Sequence, residues 1–131
     1  MELQIRLIGY SLLILGLVHI GFPKYFKWKT EFASVSLMNR QMMYIHTLFI
    51  GIMVFMIGFL CMRFSDELCN TVFGKYITLG IGIFWFLRLV VQFFGYSPKL
   101  WKGKMFETTM HIIFAIYWSY LSFIFLWIGL Y

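Results

Sequence analysis

The residues of this chain whose types and spacing suit chemistry are three histidines, one arginine inside an apolar run and one glutamate beside another. Arg88 stands with Trp85 three residues before it and Gln92 four after it, so the three share one face of a helix. An arginine at mid-membrane depth costs about +2.5 to +3.5 kcal/mol on insertion scales, which marks the position as functional until a cheaper account is found. Glu107 and His111 are four apart and share a face in the same way. His46 has Asn39 seven residues earlier on its face, next to Arg40, and His19 shares a face with Gly16 and Gly9. Imidazoles titrate near neutral pH and suit proton exchange. His19, His46, His111 and Glu107 are also the ligand types of zinc or non-haem iron, and His46 with His111 would suit a haem held axially by two helices. No compact His-Glu-x-x-His motif concentrates them. Plainer roles stand beside these. Arg88 is six residues from the end of its apolar run and within snorkelling reach of the headgroups, Glu107 suits a helix N-terminus, and an interfacial histidine commonly bonds a carbonyl or water.

The elements that must position these residues follow from length and apolarity. Hydrophobic residues make up 62% of the 131 and charged residues 12%, too few to coat a water-soluble domain of this size. The mean hydropathy is +0.84. A hydrocarbon core of about 30 Å needs roughly 20 apolar residues as a helix. Four stretches qualify, at 3–22, 42–62, 72–94 and 105–130. They show no period-two alternation and are too long for barrel strands. The expected fold is an all-α integral membrane protein, a single four-transmembrane-helix bundle. The first stretch has no small-residue cleavage site and runs into Pro23 and Lys24, which reads as a retained helix rather than a signal peptide.

Four spans put loops one and three on one side of the membrane. Those loops carry Lys24, Lys27, Lys29, Arg40, Lys99, Lys102 and Lys104, against Arg6, Arg63 and Lys75 on the other side. The seven-to-three bias places loops one and three in the cytoplasm and both termini outside it. His19, His46, Arg88, Gln92, Glu107 and His111 then all fall within a turn or two of the cytoplasmic side. The net charge of +6 lies in short loops beside apolar spans, which suits anionic headgroups and argues against nucleic acid. In loop one, Tyr25, Phe26, Trp28 and Phe32 alternate with Lys24, Lys27 and Lys29, a pattern for the headgroup layer that Pro98-Lys99-Leu100-Trp101-Lys102 echoes in loop three.

Gly9 and Gly16 are seven apart, as are Gly51 and Gly58, so each pair keeps to one helix face and favours close approach of the first two spans. Gly129, near the chain end, is expected to be less tightly packed. The nine methionines are dispersed without a Met-x-x-Met pair and read as packing. Cys61 and Cys69 flank loop two, as a disulfide or as two ordinary thiols. Walker, Rossmann and Ser–His–Asp signatures are not found in the sequence.

The opening Arg6-(x)2-Gly9-(x)6-Gly16-(x)2-His19-(x)3-Pro23 resembles the start of DoxX-like small four-helix bacterial membrane proteins, with His19 where those carry a basic residue such as lysine. The resemblance covers about 18 residues and implies the same four-helix architecture, with a link to quinone-side redox chemistry or membrane assembly. Taken together, the expectation is a polar intramembrane pocket near the cytoplasmic side of the inner (plasma) membrane. It would bind a quinone or lipid-like molecule, as a small enzyme or a redox-accessory subunit. Arg88, Gln92 and Glu107 would hold polar head atoms, with Trp85, Asn39, Arg40 and His19 around them, and His46 and His111 would exchange protons. Two other readings stand: an oligomeric channel or transporter lined by Glu107, His111, Ala115, Trp118 and Ser122, and a structural subunit of a larger membrane complex.

Overall fold

The structure is a computed structural model that describes residues 2–95, 103 and 105–131. Its elements are helices: α1 (Glu2–Val18), a 3-10 turn (His19–Gly21), α2 (Phe22–Tyr25), α3 (Trp28–Glu31), α4 (Leu37–Arg63), α5 (Ser65–Asn70), α6 (Val72–Phe94) and α7 (Met105–Leu130). Among the described residues, four helical segments are long and apolar enough to cross a membrane: Glu2–Tyr25, Leu37–Arg63, Val72–Phe94 and Met105–Leu130. The fold class is therefore the expected all-α membrane one. The distribution of side chains gives the solvent. Leu7, Ile14, Phe49, Phe84 and Ile116 are exposed, whereas Gly9, Gly16, Thr47, Thr78 and Ser122 are buried. A water-soluble protein sorts its residues the other way round, so the medium outside these helices is hydrocarbon.

Local chemistry sets the helix ends. Pro23 has no N–H to give the carbonyl of His19, and that carbonyl accepts from the Phe22 N–H instead, which tightens His19–Gly21 into a 3-10 turn. Lys27, at φ 55°, turns the chain between α2 and α3. The long loop expected up to Gln41 is shorter than its polarity suggests: α4 begins at Leu37, because the Ser36 hydroxyl accepts the Asn39 N–H at 3.3 Å. Thr71 caps α6 in the same manner, accepting the Gly74 N–H at 2.9 Å while donating to the Glu67 carbonyl at 2.6 Å. Loop two is the short helix α5 rather than a bare loop. Of loop three, only Gly95 and Gly103 are described, so the echo at residues 98–102 lies outside the described residues.

The chain divides into two compact units, residues 5–65 and residues 66–131 with 1–4. In the first, α1 and α4 form an antiparallel hairpin along the expected glycine seam. A Cβ at Gly58 would lie 2.8 Å from the Gly9 carbonyl oxygen and 2.7 Å from the Leu13 nitrogen. One at Gly16 would lie 2.8 Å from the Gly51 carbonyl oxygen. The two glycine doublets face each other, and the backbones touch where any side chain would hold them apart.

In the second unit α6 and α7 form another antiparallel hairpin, with its own close approaches. A Cβ at Gly82 would meet Leu126, and one at Gly129 would lie 2.7 Å from Leu79 backbone atoms. Gly129 is thus packed as tightly as the seam glycines, contrary to its expectation. Its nearness to the chain end does not free it, because α7 runs back to the start of α6, where Lys75 Nζ donates to the Tyr131 carbonyl at 3.2 Å. The Asn70 side-chain amide donates to Glu2 at 2.8 Å and Asp66 at 2.5 Å, and Tyr120 donates its hydroxyl to Gln4. Cys61 and Cys69 are thiols rather than a disulfide, and burial raises the Cys69 thiol above its ordinary range.

Candidate functional site

Trp85, Arg88 and Gln92 share one face of α6 as their spacing requires, and that face is turned onto α7. Trp85 and Gln92 are buried and Arg88 is half-buried. The Arg88 guanidinium donates through Nη1 to Gln92 Oε1 at 3.2 Å. The Gln92 amide nitrogen reaches across to His111 on α7, 3.0 Å from Nδ1 and 3.3 Å from the backbone carbonyl.

This geometry settles the protonation pattern. Arginine has only donors, so the Gln92 atom facing Arg88 is the oxygen and the atom facing His111 is the NH2 group. His111 Nδ1 therefore accepts, and neutral His111 carries its hydrogen on Nε2. Phe93 holds the same imidazole edge-on, with ring centroids 5.9 Å apart.

The other wall of the site is aromatic. Trp85 stacks on Trp118 of α7 with centroids 4.7 Å apart and planes within 10°. The Arg88 guanidinium lies 5.3 Å from the Trp118 ring centroid, within cation–π range. Both indole nitrogens, Trp85 Nε1 and Trp118 Nε1, are buried, and neither has a hydrogen-bond partner among the described residues. A buried N–H without an acceptor costs about 1–3 kcal/mol, and two such donors sit in one stack. Arg88 adds further donors beside them. The unmet donors of this stack, among the described residues, are the two indole nitrogens.

Of the remaining expected residues, Glu107 is on α7 and the others are in the first unit. Glu107 is exposed in the first turn of α7, outside the Arg88–Gln92–His111 chain. Asn39 and Arg40 occupy the first turn of α4, where the Asn39 backbone serves the Ser36 cap. His46 is exposed and its Nδ1 lies 2.6 Å from the Met42 carbonyl, while His19 Nδ1 lies 2.8 Å from the Leu15 carbonyl. A carbonyl can only accept, so both carry hydrogen on Nδ1. They belong to the first unit and His111 to the second. In neither unit do three or more His, Cys, Asp or Glu side chains of the described residues gather to hold a metal ion.

Trp118 is the residue whose weight the spacing understates. It lies seven residues from His111, hence on the same helix face, yet the sequence placed it only on a pore-lining stripe. Its neighbour on that stripe, Ser122, is buried and donates to the Trp118 carbonyl at 2.7 Å. Those two positions are filled by packing inside the hairpin. No known protein family, curated protein or solved structure matches this chain.

Proposed function

We propose that the α6–α7 hairpin binds the oxygen-bearing head of a quinone or lipid-like small molecule within the inner (plasma) membrane, in a small enzyme or a redox-accessory subunit. The observation that carries this reading is the pair of buried indole donors without acceptors, stacked beside a half-buried arginine. The complement of such a donor-rich wall is a ligand that offers acceptors. Carbonyl oxygens of a quinone or a lipid ester supply acceptors and bring an apolar body that suits the surrounding span. Gln92 ties Arg88 to His111 beside that stack. The DoxX-like opening points in the same direction, through quinone-side chemistry.

Purified full-length protein in mild detergent tests it. Decylubiquinone should quench tryptophan fluorescence saturably, and the Trp85→Phe, Trp118→Phe double variant should lose most of that quenching. Arg88→Leu should weaken binding by roughly tenfold to a hundredfold, the equivalent of a charged hydrogen bond. Mass spectrometry of organics carried through purification identifies a lipid alternative. Linear, unsaturable quenching that Arg88→Leu leaves unchanged, with no co-purified small molecule, would end the proposal.

The orientation proposed with it puts loops one and three in the cytoplasm, on the seven-to-three lysine and arginine bias. A phosphatase fused after Tyr131 should then be active, and a fluorescent protein at the same place dark. The reverse pattern inverts the assignment.

A further inference from the structure

We propose that the elbow between α2 and α3, with the first turn of α4, is a surface that holds anionic phospholipid headgroups in preference to zwitterionic ones. It belongs to the first unit and does not rest on the ligand proposed for the α6–α7 hairpin. Residues 22–44 carry four cations, Lys24, Lys27, Lys29 and Arg40, against one acid, Glu31. The fold gathers them. The Lys27 N–H donates to the Lys24 carbonyl at 3.2 Å, and the Lys27 carbonyl accepts from the Thr30 and Glu31 N–H groups at 3.1 and 2.9 Å. The three lysines therefore start from two consecutive turns, and all three are exposed. Trp28 is buried, with its ring centroid 5.2 Å from that of Phe32 and 5.4 Å from that of Tyr44, which fixes α3 on α4. Arg40 stands one turn before Tyr44, so this contact sets the elbow against the face of α4 that carries Arg40.

The place of the elbow selects the partner. The first membrane-crossing segment runs from Glu2 to Tyr25, so the elbow begins where that span leaves the hydrocarbon. The Trp28–Tyr44 contact keeps it there, at the lipid surface rather than out in the water where a nucleic acid or a soluble acidic protein would meet it. Tyr25 and Phe26 are 64% and 52% exposed between Lys24 and Lys27. Aromatic rings interleaved with cations suit the headgroup layer, whereas open water disfavours the bare rings. Lys27 adds a separate sign. It sits at φ 55° and ψ 45°, in the left-handed region that glycine enters at lower cost, so a cation is kept where the turn alone favours glycine. Each cation near an anionic surface strengthens attraction by about fivefold, and a head without net charge supplies none of that attraction.

Photolabelling of the full-length chain tests this, in vesicles of phosphatidylglycerol and phosphatidylcholine in equal parts. A trace of either lipid carries a diazirine beside its glycerol. The phosphatidylglycerol probe should label residues 22–32 and 40–44 about tenfold more than the phosphatidylcholine probe, and about 0.5 M salt should shrink that excess. Lys27→Gly should cut the excess about fivefold while thermal unfolding stays close to that of the unaltered protein, since glycine suits the turn. Lys24→Gln with Lys29→Gln leaves the turn untouched and should remove most of the excess, so a folding defect in one variant does not decide the matter. Arg63→Gln is the control. It removes one exposed cation about 35 Å along α4 from Arg40, and should leave the excess unchanged. Equal labelling of the elbow by the two probes would overturn the proposal. So would an excess that survives in both lysine variants, or one that Arg63→Gln lowers as much as Lys27→Gly, because net charge alone would then be at work.

Discussion

Gln92→Leu is expected to destabilise the protein by about 2 kcal/mol, because one amide makes three hydrogen bonds that average about 0.6 kcal/mol each inside membrane proteins. The loss removes the acceptor of Arg88 and the donor to His111 together. Coupling in a double-mutant cycle separates this from simple packing. Gln92→Leu with His111→Leu should cost about 0.5–1.5 kcal/mol less than the sum of the single changes, since each single change already removes their shared bond. Glu107→Leu should be close to neutral, because that side chain is exposed. Unfolding by denaturing detergent, followed by circular dichroism, reads all four variants. Strict additivity between Gln92 and His111, or a Glu107→Leu cost as large as that of Gln92→Leu, would show that the polar chain does not hold this hairpin together.

The second large effect belongs to the glycine seam. Gly58→Leu places a side chain against the Leu13 nitrogen and the Gly9 carbonyl, which are backbone atoms and cannot rotate away. Overpacking costs about 1–3 kcal/mol even where side chains can move, so this variant should lie at or beyond the upper end of that range. Gly16→Leu and Gly129→Leu should behave similarly, since each added Cβ would meet backbone atoms within 3 Å. Gly80→Leu is the informative control. Nothing lies within 4 Å of a Cβ there, and leucine improves helix propensity by about 1 kcal/mol over glycine. Thermal unfolding in detergent should rank Gly80→Leu at or above the unaltered protein and Gly58→Leu far below it. Equal melting of the two would mean that the backbones do not meet at the seam.

How far the sequence reaches depends on what each element has to encode. Span number, the bounds of α6 and α7, and the absence of strands among the described residues follow from apolar length alone, because hydrocarbon solvates an apolar helix whichever way it is turned. The shared face of Trp85, Arg88 and Gln92 is equally local, a matter of 3.6 residues per turn. The α1–α4 seam was legible too, since glycine doublets seven residues apart leave one face of each helix bare. Rotation of α7 was not legible. Its faces are nearly all apolar, so no stripe announces which one turns inward, and the sequence grouped Glu107 with Arg88 and Gln92. Only the packed hairpin decides that His111 and Trp118 meet α6 while Glu107 stays exposed, through the fit of Trp118 on Trp85 and of Leu126 over Gly82. The start of α4 was misplaced for a similar reason. Residues 37–41, which include Asn39, Arg40 and Gln41, read as loop by hydropathy, yet a helix capped by Ser36 continues through them. Composition determined the solvent and the number of spans; contact between helices decided which polar atoms meet, because in lipid that choice rests on shape and hydrogen bonding rather than on a hydrophobic pattern.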